Sequence, residues 1–152
     1  MNIFDQLGKI YNEIDTTYAG IEVQSRLRGH NKKEAEYFGK RQFNDQAYFL
    51  FMFTRLEDRV RNLSDELIDD KVGNLTDWKA KRTWDILGKR KDRIAFMDRV
   101  ALLTEINQTD YNLIDRYYRQ RNNIGHGGTF TIAISIPTVI ADMKRLYRDL
   151  NG

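Results

Sequence analysis

The sequence contains no cysteine and a single proline, and its longest unbroken apolar run is the seven-residue stretch AYFLFMF at 47–53. The absence of cysteine excludes disulfides, thiolate metal sites and cysteine nucleophiles. Because Pro137 is the only proline, long helices can run without interruption. A run of seven apolar residues is far shorter than a membrane-spanning helix, which needs about 20. The opening MNIFDQLGKIYNEI contains acids and no long apolar block, so we expect no secretory signal, no membrane partner and a cytoplasmic protein.

The composition is that of a soluble globular chain. Hydrophobic residues make up 41% of the 152 residues and charged residues 31%. This length predicts one domain, residues 1–152, that can bury a core without crosslinks. The two histidines, His30 and His126, lie far apart in the sequence, so we expect neither a metal site nor a cofactor.

Positive charge is concentrated in one stretch. The net charge is +3, and between Lys79 and Arg93 seven basic residues stand against Asp85 and Asp92. One interpretation is an ordinary solvated helix face. The other is contact with a polyanion such as RNA, for which we single out Lys89, Arg90 and Lys91.

Apolar residues recur at helical spacing along most of the chain. Intervals of three and four predict a first helix that ends near Gly29 and a second that runs from about Asn31 to Gly73 and Asn74. Their stripes are Phe4, Leu7, Tyr11, Ile14, Tyr18 and Ile21, and then Phe49, Phe53, Leu56, Val60, Leu63 and Leu67.

The rest of the chain continues the helical pattern. Thr76 or Asp77 can cap a third helix that breaks near Gly88, and a stripe from Phe96 to Ile106 predicts a fourth. Thr109 or Asp110 can cap a fifth helix, and Ser135 a last one with Pro137 in its first turn. The stretch TFTIAIS, 129–135, could form a short strand or an extended arm that reaches a second subunit. The sequence thus predicts an all-α single-domain bundle of about five or six helices.

The segment RQRNNIGHGG, residues 119–128, combines unusual chemistry at a helix end. Tyr111, Ile114 and Tyr118 share one helix face, and Arg121 follows at the next position of that face, where a core helix would place an apolar residue. A guanidinium there needs an anion, either a structural carboxylate or a phosphate. Glu57, near the core stripe of the second helix, is the candidate carboxylate. Gly125, Gly127 and Gly128 let the chain leave the helix around His126, whose imidazole could then swing toward Arg121.

This arrangement resembles the R-x4-6-H motif of HEPN domains, here in the form Arg121-Asn122-x-x-x-His126 near a helix end. The phrase DYNLIDRYYRQRNNIGHGG, the long helix upstream, the segment TWDIL at 83–87 and the helical ending extend the resemblance over residues 35–150.

The resemblance implies a metal-independent endoribonuclease that acts on RNA as a homodimer, with toxin or antiviral defence roles. Arg121 would orient the scissile phosphate, His126 would act as general acid or base, and Asn122 would position one of them. Arg119 also satisfies the looser spacing and is a candidate RNA contact. The chemistry needs one group to take the 2′-hydroxyl proton and another to protonate the leaving 5′-oxygen. One chain offers one suitable histidine, and a dimer would supply two.

One departure and several alternatives accompany this hypothesis. HEPN toxins with nucleotidyltransferase antitoxins often carry a modified tyrosine two places after the histidine, where this chain has Gly128. We therefore expect no adenylylating antitoxin, and any regulatory protein stays unidentified. The first alternative is that His126 is only a helix C-cap. The chain would then be a non-catalytic helical module that binds nucleic acid or a protein partner. A helix-turn-helix DNA-binding regulator ranks last, because no short helix pair of that type is evident.

Overall fold

A computed structural model describes residues 2–150, and its regular structure is helical. The elements are α1 (Ile3–Leu27), α2 (Asn31–Asn74), α3 (Trp78–Gly88), a 3₁₀ turn (Lys91–Arg93), α4 (Phe96–Leu103), α5 (Thr109–Gly125) and α6 (Ile136–Asp149). Residues 2–150 contain no strand. The predicted all-α class with five or six helices is confirmed. None of the helices in this range is long and apolar enough to cross a bilayer.

The chain divides into two compact units. Unit 1 comprises Met1–Phe53 and Gln120–Lys144, and unit 2 comprises Thr54–Arg119 and Arg145–Gly152. Helices α2, α5 and α6 therefore each contribute residues to both units. The single domain predicted for 1–152 stays a prediction.

In unit 1, α1 runs antiparallel to the first half of α2. Tyr11 Oη donates to Asp45 Oδ1 at 2.8 Å, and the rings of Tyr18 and Tyr37 meet edge to face at 5.6 Å. The stripe predicted for α1 is turned inward, because Phe4 and Tyr11 are buried and the other members are half-buried. The turn between the helices is set by Gly29, which ends α1 in the left-handed region at φ 68°.

One arginine fastens α1 to α2 through two carboxylates. Arg41 Nε and Nη2 donate to the two oxygens of Asp15 at 2.8 and 3.2 Å, and Nη1 donates to Glu22 Oε2 at 3.0 Å. Glu22 is buried, and its other oxygen accepts from Arg26 at 3.0 Å. These bonds raise the pKa of Arg41 above its ordinary value, against a smaller lowering by burial. The fork geometry fixes the register of the two helices.

Of the two forms predicted for the segment after α5, the strand is wrong, and the arm that reaches a second subunit stays a prediction. Residues 129–135 form neither a strand nor a helix. Phe130 packs edge to face on Phe49 at 5.3 Å, and Thr131 N–H donates to Gln120 Oε1 at 2.8 Å. The start of this segment therefore packs on residues of its own chain. The Phe130–Phe49 contact and the Thr131–Gln120 hydrogen bond hold it, and no strand hydrogen bonds are formed.

Buried apolar side chains of unit 2 come from four helices. On α2 they include Leu56, Val60 and Leu63 of the predicted stripe, whereas Ile68 is buried in place of the predicted Leu67, which is half-buried. The other members are Val100 on α4, Ile114 and Tyr117 on α5, Leu146 on α6 and Leu150 directly after α6. The apolar spacing predicted for α2 is thus confirmed as a core pattern as far as Leu63. Two helix ends differ from prediction. Helix α4 stops at Leu103, and Ile106, the predicted end of its stripe, is exposed. Helix α5 already includes Thr109, and the carbonyl of Gln108 accepts its first hydrogen bond.

Arg99 on α4 is a buried cation that joins three parts of unit 2. Its Nη1 donates to Ser64 Oγ and Asp65 Oδ1, each at 2.7 Å, and its Nη2 donates to the carbonyl oxygen of Lys91 at 2.6 Å. Arg99 is 6% exposed, so its charge depends on these partners. The bond to Lys91 O holds the 3₁₀ turn close to α2.

We expect Arg99→Ala to destabilise the protein by about 2–3 kcal/mol, because it leaves Ser64 and the Lys91 carbonyl without their buried donor. Urea denaturation followed by circular dichroism measures this. The matched control is Arg61→Ala on the exposed side of α2, which should change the free energy of unfolding by under about 0.5 kcal/mol. Equal effects of the two substitutions would contradict the role given to Arg99.

Candidate functional site

The end of α5 is closed by a backbone cap that uses a left-handed glycine. Gly127 has φ 85°, and its N–H donates to Ile124 O at 2.9 Å. Gly128 N–H donates to Asn123 O, also at 2.9 Å. These two bonds form a Schellman motif in which His126 is the C-cap residue. The chain leaves the helix around His126, as predicted.

The cap determines the environment of His126. Its own N–H donates to Asn122 O at 3.0 Å, which completes the last turn. The residue is exposed, so its imidazole can reach a bound molecule. The C-cap interpretation is therefore correct for the backbone of His126, and it leaves the imidazole available for chemistry.

Asn122 makes bonds to both partners of the motif. Its side-chain Oδ1 accepts from Arg121 Nη1 at 3.3 Å, and its carbonyl oxygen accepts from His126 N–H. Arg121 is half-buried, and its Nη1 lies 3.9 Å from the point that a Cβ on Gly125 would occupy. The guanidinium thus extends along the last turn of α5, toward the end that carries His126. A Cβ at position 125 would make only ordinary van der Waals contact with this guanidinium.

Two further polar residues of α5 hold the segment that follows the cap. Gln120 is 4% exposed and binds Thr131 through three contacts. Its Nε2 donates to Thr131 Oγ1 at 2.8 Å, and its Oε1 accepts from the Thr131 N–H at 2.8 Å and from Oγ1 at 3.1 Å. Asn123 Nδ2 donates to Thr129 O in a short hydrogen bond. A Cβ on Gly128 would come within 2.8 Å of the Asn123 amide, so a glycine is needed there for that amide to reach Thr129.

A small polar cleft borders the same segment. Gln42, Asp45 and Gln46 of α2 line it together with Thr129 and Phe130, and its volume is about 200 Å³. Burial raises the pKa of the Asp45 carboxyl above its ordinary value of 3.8, against a lowering by the Tyr11 hydroxyl. Burial, followed by the bond to Asp45, raises the pKa of the Tyr11 phenol, which stays a donor at neutral pH. Asp45 is therefore a carboxyl that holds its proton more tightly than a surface aspartate.

The other predicted site residues lie in unit 2. Arg119 has a 75% exposed side chain and pairs with Asp115 one turn earlier at 2.8 Å. Lys89 and Arg90 are exposed, whereas Lys91 pairs with Asp69 at 2.6 Å. Glu57 is half-buried on α2, and its role as the carboxylate for Arg121 stays a prediction.

Three residues that shape this site were not predicted from the sequence. Gln120 and Asn123 form the clamp, and Asp45 supplies the carboxyl of the cleft. A signal for Gln120 was present, since it follows the buried Tyr117 by three positions and so occupies the core face of α5. The predicted stripe of Tyr111, Ile114 and Tyr118 is correct at Ile114, which is buried. It is wrong by one position at its end, because Tyr117 is 2% exposed while Tyr118 is half-buried against Phe96.

We expect Gly127→Ala to destabilise the protein by about 1–2 kcal/mol, because an L side chain is strained at φ 85°. The control is Gly39→Ala within α2, where nothing lies within 4 Å of the new methyl group. That change should stabilise by about 0.5–1 kcal/mol. Thermal melts of both variants measure the effects, and a neutral Gly127→Ala would be inconsistent with the cap.

The raised pKa of Asp45 predicts a pH dependence of stability. The folded state binds this proton more tightly than the unfolded state, so the free energy of unfolding falls as pH rises above 3.8 through the folded pKa. The Asp45→Asn variant has no titrating carboxyl at this position, so it does not lose stability in this way as pH rises. The stability of the parent relative to Asp45→Asn should therefore decline across the weakly acidic range and level off toward neutrality. Urea midpoints at a series of pH values test this, and a difference that grows with pH would refute it.

No protein-family model, curated protein or solved structure matches the chain. Among the described residues 2–150, no group of three or more histidine, aspartate or glutamate side chains is placed to hold a metal ion. We therefore base a function on residues 119–131 and on the chemistry of their side chains.

Proposed function

We propose that this protein is a HEPN-type, metal-independent endoribonuclease that acts as a homodimer. The observation that carries the proposal is the linkage at the end of α5, where Asn122 binds the Arg121 guanidinium through its side chain and the His126 N–H through its carbonyl. An exposed imidazole and a guanidinium that extends toward the same helix end are the groups that RNA cleavage by 2′-hydroxyl attack requires.

The reaction assigns one task to each side chain. The ribose 2′-oxygen attacks the adjacent phosphorus, the bond to the 5′-oxygen breaks, and a 2′,3′-cyclic phosphate forms. His126 takes the 2′-hydroxyl proton or gives a proton to the leaving 5′-oxygen. Arg121 binds the phosphate and offsets the charge of the phosphorane, because its fork of donors matches the non-bridging oxygens. Asn122 restricts the guanidinium and so positions it.

A homodimer meets the need for two proton-transferring groups. The reaction needs a base and an acid at the same time, and each chain contributes one His126. Two copies of the helix end in one cleft would supply a pair of imidazoles and a pair of Arg121 guanidinium groups. His30, the other histidine, is exposed in the turn between α1 and α2. No arginine precedes it at the spacing of the R-x4-6-H motif.

The proposed setting is a cytoplasmic toxin or antiviral defence nuclease that cleaves cellular or viral RNA. Position 128 is glycine, and its close approach to Asn123 leaves no room for a larger side chain without moving that amide. A tyrosine for modification by an antitoxin is thus missing, so any antitoxin or regulatory protein would act by another route.

We expect the purified protein to cleave RNA in the presence of EDTA and to leave 2′,3′-cyclic phosphate ends. His126→Ala should lower the rate by about 10²–10⁴-fold, since it removes the proton-transferring group. Arg121→Ala should lower it by about 10²–10³-fold, since it removes an electrostatic partner of the phosphorane. Gel-based cleavage of a labelled RNA, together with growth after induced expression, measures both effects.

The sequence provides matched controls for these substitutions. His30→Ala removes the other histidine and should leave cleavage unchanged. Arg119→Ala removes an exposed, Asp115-paired arginine on the preceding turn and should affect the rate less than Arg121→Ala. A folded His126→Ala protein that cleaves as fast as the parent would show the assignment to be wrong.

A second candidate function is a non-catalytic module that binds nucleic acid or a protein partner. The observation that favours it is α3, an eleven-residue basic helix in which no residue is buried. Salt-dependent RNA affinity without turnover, unchanged in His126→Ala, would support this function over the nuclease.

A further inference from the structure

Helix α3 exposes a face on which cations and apolar side chains alternate. Trp78, Arg82 and Ile86 recur at intervals of four and therefore share one side of the helix, and Lys79 stands beside Arg82 on that side. Trp78 is 64% exposed and Ile86 55% exposed, so both apolar side chains are accessible to a bound molecule. We call Trp78, Lys79, Arg82 and Ile86 the α3 face.

The cations of the α3 face lie close to the indole. The guanidinium carbon of Arg82 is 5.7 Å from the Trp78 ring centroid, and Lys79 Nζ is 6.0 Å from it. Cation–π attraction extends to about 6 Å from the ring centroid, and both distances fall inside this limit. The indole is thereby flanked by two positive charges while most of its surface stays open to solvent.

A cleft in unit 2 continues this face at the end of the helix. Its volume is about 570 Å³, within the range of small-ligand sites of about 300–1,000 Å³. Four apolar side chains and three charged ones line it. The apolar ones are Ile86, Leu87, Ile94 and Leu102, and the charged ones are Arg90, Arg93 and Asp98. Ile86 belongs to both the cleft and the α3 face, so the two form one surface.

The charge of this surface is available for a ligand. Within residues 2–150, neither Arg90 nor Arg93 forms an ion pair with a carboxylate, in contrast to Lys91, which pairs with Asp69. The stretch from Lys79 to Arg93 contains seven basic residues and two acids. The surface thus presents unpaired guanidinium groups next to apolar and aromatic area, which favours a ligand with both anionic and flat apolar groups.

We propose that the α3 face and its adjoining cleft bind single-stranded RNA, with one base stacked on Trp78, another base in the cleft, and the intervening phosphates on Arg82, Arg90 and Arg93. This inference rests on the proposed function for the identity of the polymer as RNA. In a single strand, bases and phosphates alternate, as the indole, the guanidinium groups and the apolar cleft do here. Asp98 can accept a hydrogen bond from the amino group of a base.

The same features fit other anionic partners less well. A helix that lies on a membrane separates its cations from a continuous apolar face, whereas Arg82 stands between Trp78 and Ile86 on one face. Duplex RNA keeps its bases stacked inside, so it could use the arginines but neither the indole nor the cleft. An acidic peptide would pair with the arginines without needing an open aromatic ring.

The test measures binding separately from cleavage. Fluorescence anisotropy of labelled oligoadenylate, oligouridylate and their duplex is recorded in the His126→Ala protein, so that the strands stay intact. Single strands should bind at least about tenfold more tightly than the duplex. Trp78→Ala should weaken single-strand binding by about 5- to 100-fold, and Trp78→Phe should restore most of it, because a ring for stacking remains.

Two further measurements locate the contacts. Arg90→Gln with Arg93→Gln should lower the slope of log affinity against log salt by about 1.4, as expected for two phosphate contacts on a single strand. Lys32→Gln with Lys33→Gln, which removes the same charge from α2, should leave the slope unchanged. In a Trp84→Phe background, RNA should quench the fluorescence of Trp78 as the sole remaining tryptophan.

Defined results would overturn the inference. These are unchanged binding in Trp78→Ala, duplex binding as tight as single-strand binding, stronger binding to phosphatidylserine vesicles than to RNA, or full displacement of RNA by polyglutamate at equal charge. Leu27→Ala, which removes another exposed apolar side chain, must not reproduce the Trp78→Ala effect.

The design distinguishes this inference from the proposed nuclease. If the parent cleaves RNA while Trp78→Ala changes neither affinity nor KM, the surface is wrong and the nuclease stands. If single strands bind through Trp78 and the parent never cleaves them, the surface stands and the nuclease is wrong.

Discussion

The left-handed backbone at Gly127 is the constraint on which the candidate site depends. It lets the N–H groups of Gly127 and Gly128 bond back to the last turn of α5, which ends the helix at His126. A helix that continued would carry the imidazole about 140° around the axis from Arg121. Because the helix stops, His126 occupies an exposed C-cap, and the chain turns back so that Gln120 and Asn123 can hold Thr131 and Thr129.

Each compact unit is further stabilised by an arginine that binds several oxygens at once. In unit 1, Arg41 binds the carboxylates of Asp15 and Glu22, and so fixes α1 on α2. In unit 2, Arg99 binds Ser64, Asp65 and a carbonyl of the 3₁₀ turn. Planar guanidinium groups suit this task because their donors point in fixed directions.

The chemistry of the chain is divided between the units. Unit 1 carries the exposed imidazole, the Arg121 and Asn122 pair, and a carboxyl in a small cleft. Unit 2 carries an exposed indole, unpaired guanidinium groups and a larger apolar cleft. The two proposals therefore assign proton transfer to side chains of unit 1 and strand binding to side chains of unit 2.

The sequence by itself determined the helices and most of their ends. The stripes from Phe4 and from Phe49 are inward-facing, α2 extends over Asn31–Asn74, and Asp77 caps α3, because apolar periodicity and capping act within a few residues. Only the tertiary structure decided that Tyr117 is buried in place of Tyr118, and that residues 129–135 form no strand. It also decided which carboxylates Arg41 binds. These outcomes depend on partners between eleven and 81 positions away, such as Thr131 for Gln120 and Phe130 for Phe49, which no local pattern can reveal.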